Sequence, residues 1–206
     1  MNKYLNKQQL ILFSKSLKKT RSLLGRSPIA EMTPSYGVAG NTFRAYRGWR
    51  HSPSETYRAW AEKYTHRIIK DPPTESISTQ KKFQQWHKSL YDSLNRYWKK
   101  RQDNALSLAH CYKLIDLYIK WASQFDFDDD KFITMLNKHA SCALDRQTIE
   151  RLNKCYSYCL PISSPRMGDI INQNTYDYCQ EIIYAFCKEA GGTKLEFDYW
   201  AWERGG

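Results

Sequence analysis

Two residues combine a reactive side chain with a position at which it can be used: Lys113 and Asp145. Lys113 lies in Leu108-Ala-His-Cys-Tyr-Lys113-Leu-Ile-Asp-Leu-Tyr-Ile-Lys-Trp121, and Asp145 in Cys142-Ala-Leu-Asp145-Arg-Gln-Thr-Ile-Glu-Arg-Leu152. An amine and a carboxylate are the groups of nucleophilic and acid–base chemistry. Each also has a structural reading. Leu108, Cys111, Ile115, Tyr118 and Ala122 form one apolar helix face, and Lys113, Asp116 and Lys120 fall on the other, facing solvent. Asp145 stands at a helix start, where a carboxylate accepts from the free amides of the next turn. No P-loop, G-x-S-x-G, H-E-x-x-H or Rossmann glycine set is present. His51, His66, His87, His110 and His139 show no ligand spacing, and no carboxylate cluster of metal-site character supports a nuclease.

Charge points to the partner. Residues 1–104 hold 21 Lys/Arg against 7 Asp/Glu, a balance of +14, whereas residues 105–206 hold 11 against 14, a balance of −3. An asymmetry of this size calls for a polyanion. The cations are interleaved with Trp and Tyr, which suits phosphate, sugar and base contacts better than a membrane surface. Nucleic acid is the expected partner. Arg44, Arg47 and Arg50 in one cluster, with Lys99, Lys100 and Arg101 in another, are the candidates to hold phosphates. The triplet 99–101 also ends a helix, where positive charge is favoured by the dipole.

The elements that position these groups are helices. Periodicity predicts helices over about 3–24, a helix after Ser52-Pro53-Ser54-Glu55, and further ones over 79–101, 107–124, 131–139, 145–156 and 175–190. Residues 25–40 read as a long loop, and Arg44 to Arg50 as too short and too basic for core. Asp126-Phe-Asp128-Asp129-Asp130 lacks the glycine and terminal glutamate of an EF-hand and reads as a helix cap. Residues 194–203 alternate apolar and polar, which predicts a short extended C-terminal segment. The fold class is thus all-α, as one compact unit whose basic aromatic part is 1–104 and whose catalytic part is 105–206. No run approaches the roughly 18 apolar residues of a membrane span, and the lysine-flanked N-terminal patch reads as a first helix, so a cytoplasmic protein is expected. The six cysteines contain no C-x-x-C pair and read as buried thiols, with neither metal nor disulfide, and no cofactor is implied.

Taken together, the segments around Lys113 and Asp145 resemble the helix-hairpin-helix DNA glycosylases, in particular the 8-oxoguanine-excising branches. That superfamily carries a lysine near the start of the helix after the hairpin and an aspartate downstream in a Pro-Val-Asp-like context. Cys142-Ala-Leu-Asp145-Arg stands in that context here, 32 residues beyond Lys113. Asn104-Ala-Leu-Ser107 replaces the usual Gly-x-Gly turn, and Ala143-Leu144 the Pro-Val pair. The resemblance covers residues 104–155. It implies a glycosylase-like fold and excision of a modified base from double-stranded DNA, with Lys113 and Asp145 catalytic. Asp145 would stabilise an oxocarbenium-like transition state and Lys113 would attack the same sugar carbon. Extruding the base requires an aromatic pocket. Trp49 with Tyr46, or Tyr199, Trp200 and Trp202, are the candidates to stack on it; core packing is the competing role of the tail tryptophans. Anti-phage enzymes that excise glucosylated hydroxymethylcytosine are a similar compact variant; that role is the preferred reading, with 8-oxoguanine repair next, and the residues do not choose between the two. A nucleic-acid-binding module without catalysis is the reading from another class.

Overall fold

Side-chain caps start most of the helices. Ser52, Thr79, Ser107, Asp129, Asp145, Asn172 and Thr193 each accept a hydrogen bond from a backbone amide of the following turn. The computed structural model describes residues 4–24, 35–46, 48–157 and 164–203. These form α1 (Lys7–Leu24), α2 (Pro53–Lys70), α3 (Gln80–Gln102), α4 (Leu108–Ala122), α5 (Asp130–His139), α6 (Arg146–Cys155), α7 (Gln173–Glu189) and α8 (Lys194–Ala201). Short 3-10 turns complete the set, and no strand occurs among the described residues. Nor is any described helix long and apolar enough to cross a membrane.

The chain divides into two compact units, and the division differs from the expected one. One unit joins Met1–Arg26 to Ser141–Gly206; the other is Ser27–Ala140. The expected boundary between basic and acidic parts, at 104, falls inside the second of these units. The reason lies in α1: its apolar residues Phe13 and Leu17 are buried against the C-terminal helices. The basic N-terminal segment thus belongs with the acidic end of the chain.

In the discontinuous unit the core is aromatic. The Phe13 ring lies 5.6 Å from Phe186, 6.1 Å from Phe197 and 5.2 Å from Trp200. The turn between α7 and α8 has to be tight enough to admit Phe13. Gly191 takes a left-handed φ of 67°. The Gly192 amide then donates to Cys187 O at 2.8 Å and the Gly191 amide to Lys188 O at 3.2 Å, which closes α7 in a Schellman motif. A Cβ on Gly192 would stand 2.8 Å from Phe13 Cζ, so the close approach itself requires glycine.

The C-terminal segment is helical, which corrects the expected extended segment. Thr193 and Glu196 form a reciprocal capping box: the Glu196 amide donates to Thr193 Oγ1 at 3.2 Å, and the Thr193 amide to Glu196 Oε2 at 2.6 Å. The alternation over 194–203 carried no strand signal because residues 194–198, 200 and 201 of α8 are all buried.

The continuous unit is built on α2, α3, α4 and α5. Tyr57, Trp60 and Ile68 of α2 are buried in it, with Phe83, Leu90, Leu94 and Trp98 of α3 and Cys111, Ile115 and Tyr118 of α4. Gly37, with φ 79°, marks where the segment before α2 crosses α4; a Cβ there would lie 2.6 Å from Leu117 O and from Trp121 Cβ. The acidic run before α5 is the expected cap: Asp129 Oδ1 accepts from the Phe132 amide at 2.8 Å. Cys111, Cys142, Cys155, Cys179 and Cys187 are buried free thiols, and Cys159 lies outside the described residues.

Candidate nucleic-acid interface

Why the basic segments meet follows from the end of α3. The helix closes at Asp103, whose left-handed φ of 64° reverses the chain into the four residues that lead to α4. Gln102, on the last turn, is buried and faces the segment before α2. Its Oε1 accepts from the His51 amide at 2.8 Å, and its Nε2 donates to His51 O at 2.9 Å and to Thr56 Oγ1 at 2.8 Å. Arg50 Nη1 lies 2.8 Å from Asp103 Oδ2. Trp49 stands edge-on to Trp98, ring centroids 5.5 Å apart at 85°. Residues 49–51 and 98–103, half a hundred positions apart in sequence, therefore form one surface.

On that surface Lys99, Lys100, Arg101 and Arg50 are exposed; Arg44 is exposed in a 3-10 turn (Gly40–Ala45). Trp49 is half-buried. A shallow depression lined by Ser89, Asp92, Asn95, Arg96, Lys99 and Ala105 runs along α3 beside it. Arg47 lies outside the described residues. The expectation that 44–50 contributes nothing to the core is corrected by Tyr46. It is buried, donates from its hydroxyl to His110 O at 3.0 Å, and packs 4.5 Å from the His110 ring. Burial, and then the nearby Cys111 thiol, push the Tyr46 hydroxyl well above its ordinary pKa.

The pair Lys113 and Asp145 is divided between the two units. Lys113 is half-buried on α4 in the continuous unit. Asp145, in the discontinuous unit, is 6% exposed and is the N-cap of α6. Its Oδ1 accepts from the Thr148 amide at 3.1 Å, and the Thr148 hydroxyl lies 2.7 Å from the Asp145 amide nitrogen, which donates to it. The approach to Asp145 is itself buried and held by two side chains. Gln180 bonds the Cys142 amide and carbonyl at 3.0 and 2.7 Å, and Asp198 Oδ2 accepts from the Ala143 amide at 2.8 Å.

The tail aromatics separate from one another. Trp200 is 2% exposed, stacked on Phe186 at 6.0 Å, and has the Arg151 guanidinium 4.5 Å from its ring centre. Core packing is its role, and it presents no open face to a base. Tyr199 is half-buried, its hydroxyl pushed well up by burial and then by Asp198, whereas Trp202 is 47% exposed.

One polar constellation escaped sequence reasoning. Asp116, expected on a solvated face, is 1% exposed, and its Oδ1 lies 2.7 Å from His87 Nε2. The His87 ring is stacked between Phe83 at 5.8 Å and Tyr112 at 5.1 Å. A signal existed: His87 falls three and four residues from Leu90 and Phe83, on the buried stripe of α3. No group of three or more His, Cys, Asp or Glu among the described residues is arranged to hold a metal ion. Compared with protein-family models, curated proteins and solved structures, the chain matches none.

Proposed function

We propose that the protein grips double-stranded DNA with the surface at the end of α3 and excises a modified base from it, as a DNA N-glycosylase. The observation that carries the gripping is the joining of the half-buried Trp49 and of Arg50 to the last turn of α3, which carries the exposed Lys99, Lys100 and Arg101. Clustered cations bind phosphates whatever the sequence, and an accessible ring offers a face or edge to an unstacked base. The excision is supported by the resemblance of residues 104–155 and by the residue types at 113 and 145. In that reaction the bond from C1′ to the base nitrogen breaks, and its electron pair leaves with the base, which takes up a proton. The Asp145 carboxylate stabilises the positive charge left on the sugar. Water, or the Lys113 amine, then bonds to C1′. A bulky cytosine such as glucosylated hydroxymethylcytosine, in anti-phage defence, is the preferred substrate, with 8-oxoguanine repair next.

A second reading, binding without catalysis, is favoured by one observation: the Asp145 carboxylate is buried and engaged in a cap. Both readings share the same surface. Lys100→Glu with Arg101→Glu should weaken duplex binding and lower the log–log salt slope by about 1.8 in magnitude, roughly 0.9 for each phosphate no longer neutralised. An unchanged slope places the DNA surface elsewhere.

A further inference from the structure

The first helix carries a charge pattern that its fold does not use. Residues 1–26 contain seven Lys/Arg and no Asp or Glu. Two of these cations are tied to the unit: Lys19 Nζ lies 2.9 Å from Glu203 Oε1, and Arg21 Nε lies 2.7 Å from the buried Glu196 Oε1. Lys7, Lys15 and Lys18 instead lie on the exposed side of α1 with Ser14 and Ser22. Like charges three and four residues apart on a helix repel, so Lys15, Lys18 and Lys19 work against one another. Two apolar side chains share the exposed side: Ile11 is 55% exposed and, just before the helix, Tyr4 is 60% exposed.

We propose that this exposed side of α1 is a second DNA-backbone contact, on the discontinuous unit, in which Lys7, Lys15 and Lys18 pair with phosphates. The proposal rests on the DNA-binding reading above. Charge complementarity selects the partner: three ammonium groups with no ion pair among the described residues, in a segment without a carboxylate, fit a polyanion. Geometry fits too. Eleven residues of helix separate Lys7 from Lys18, about 16 Å at 1.5 Å per residue, which spans several phosphates of one DNA strand at about 3.4 Å each. An anionic membrane is disfavoured because the apolar side of α1 is already spent: Phe13 and Leu17 are buried in the core, leaving only Ile11 and Tyr4 to insert.

The test replaces Lys7, Lys15 and Lys18 together by Glu, and separately by Gln, in the full chain. Both triple variants should keep the wild-type melting temperature, since all three side chains are exposed. On a 30-base-pair duplex the Glu variant should bind at least tenfold more weakly, and both should lower the salt slope by about 2.7 in magnitude. A wild-type slope in both variants overturns the proposal. If the substitutions at Lys100 and Arg101 still lower the slope in that case, the surface at the end of α3 stands by itself. If the α1 variants lower the slope and those substitutions do not, the surface at the end of α3 falls and α1 remains. Should wild type bind vesicles containing phosphatidylserine and not DNA, with binding abolished in the triple variants, the face belongs to a membrane and the proposal is wrong.

Discussion

Two helix ends carry the functional argument, and they treat their charges in opposite ways. At the end of α3, Lys99, Lys100 and Arg101 stand exposed on a turn held by Gln102, whose hydrogen bonds do not involve them. At the start of α6 the Asp145 carboxylate is buried and supports the fold through its cap. Charges of the first kind can change with little cost to stability, so a loss of binding there reports the surface directly. Charges of the second kind mix folding with function, and only a substitution that keeps the hydrogen bond separates the two.

The largest effect expected from breaking this contrast is at the buried pair of the continuous unit. Asp116→Ala removes the carboxylate 2.7 Å from His87 in a buried site, and should destabilise by about 2–3 kcal/mol in urea unfolding, through the lost hydrogen bond and the imidazole left without its partner. A loss under about 1 kcal/mol would mean that the pair carries little of the fold. Asp145→Ala should cost less, about 1–2 kcal/mol, the range for losing an N-cap. At the Asp129 cap the effect depends on pH. The Thr74 hydroxyl first, then the Phe132 amide, hold its carboxyl below the ordinary value. A depressed folded-state pKa contributes stability above the unfolded value, and this contribution is lost as pH falls through the lower folded value. Asp129→Asn should therefore be less stable than wild type at about pH 7, with the gap closing in acid below the usual aspartate range; a gap that widens there would contradict this. The smallest effect is at the open end: Lys99, Lys100 and Arg101 changed to Gln should each shift stability by less than about 0.5 kcal/mol.

Helices were legible from periodicity and caps. Ser52, Ser107, Asp129 and Asp145 stand where their residue types predict a start. The C-terminal helix has a signal in the sequence, the capping box Thr193-x-x-Glu196, which the apolar–polar alternation over 194–203 masks. The division into units was not legible, since nothing local in residues 1–26 tells that their apolar face packs on residues beyond 141. Site legibility splits the same way. Exposed cations are visible as composition, whereas the surface uniting Trp49, Arg50 and the end of α3 depends on the tertiary bonds of Gln102. Asp116 misled because its helix is buried on nearly every side, so that the polar stripe expected there is core.

In the proposed reaction Asp145 acts on a sugar cation as well as capping α6. Asparagine caps a helix about as well as aspartate but carries no charge, so Asp145→Asn keeps the fold and removes only the electrostatics. The measurement is released base by mass spectrometry, after wild type, Asp145→Asn and Lys113→Gln are incubated with duplex DNA carrying a panel of modified cytosines and 8-oxoguanine. The expected result is release by wild type, none by Asp145→Asn at an unchanged melting temperature, and little or none by Lys113→Gln, with DNA binding retained in all three. Full release by both variants, or none by wild type on any DNA that it binds, would contradict it.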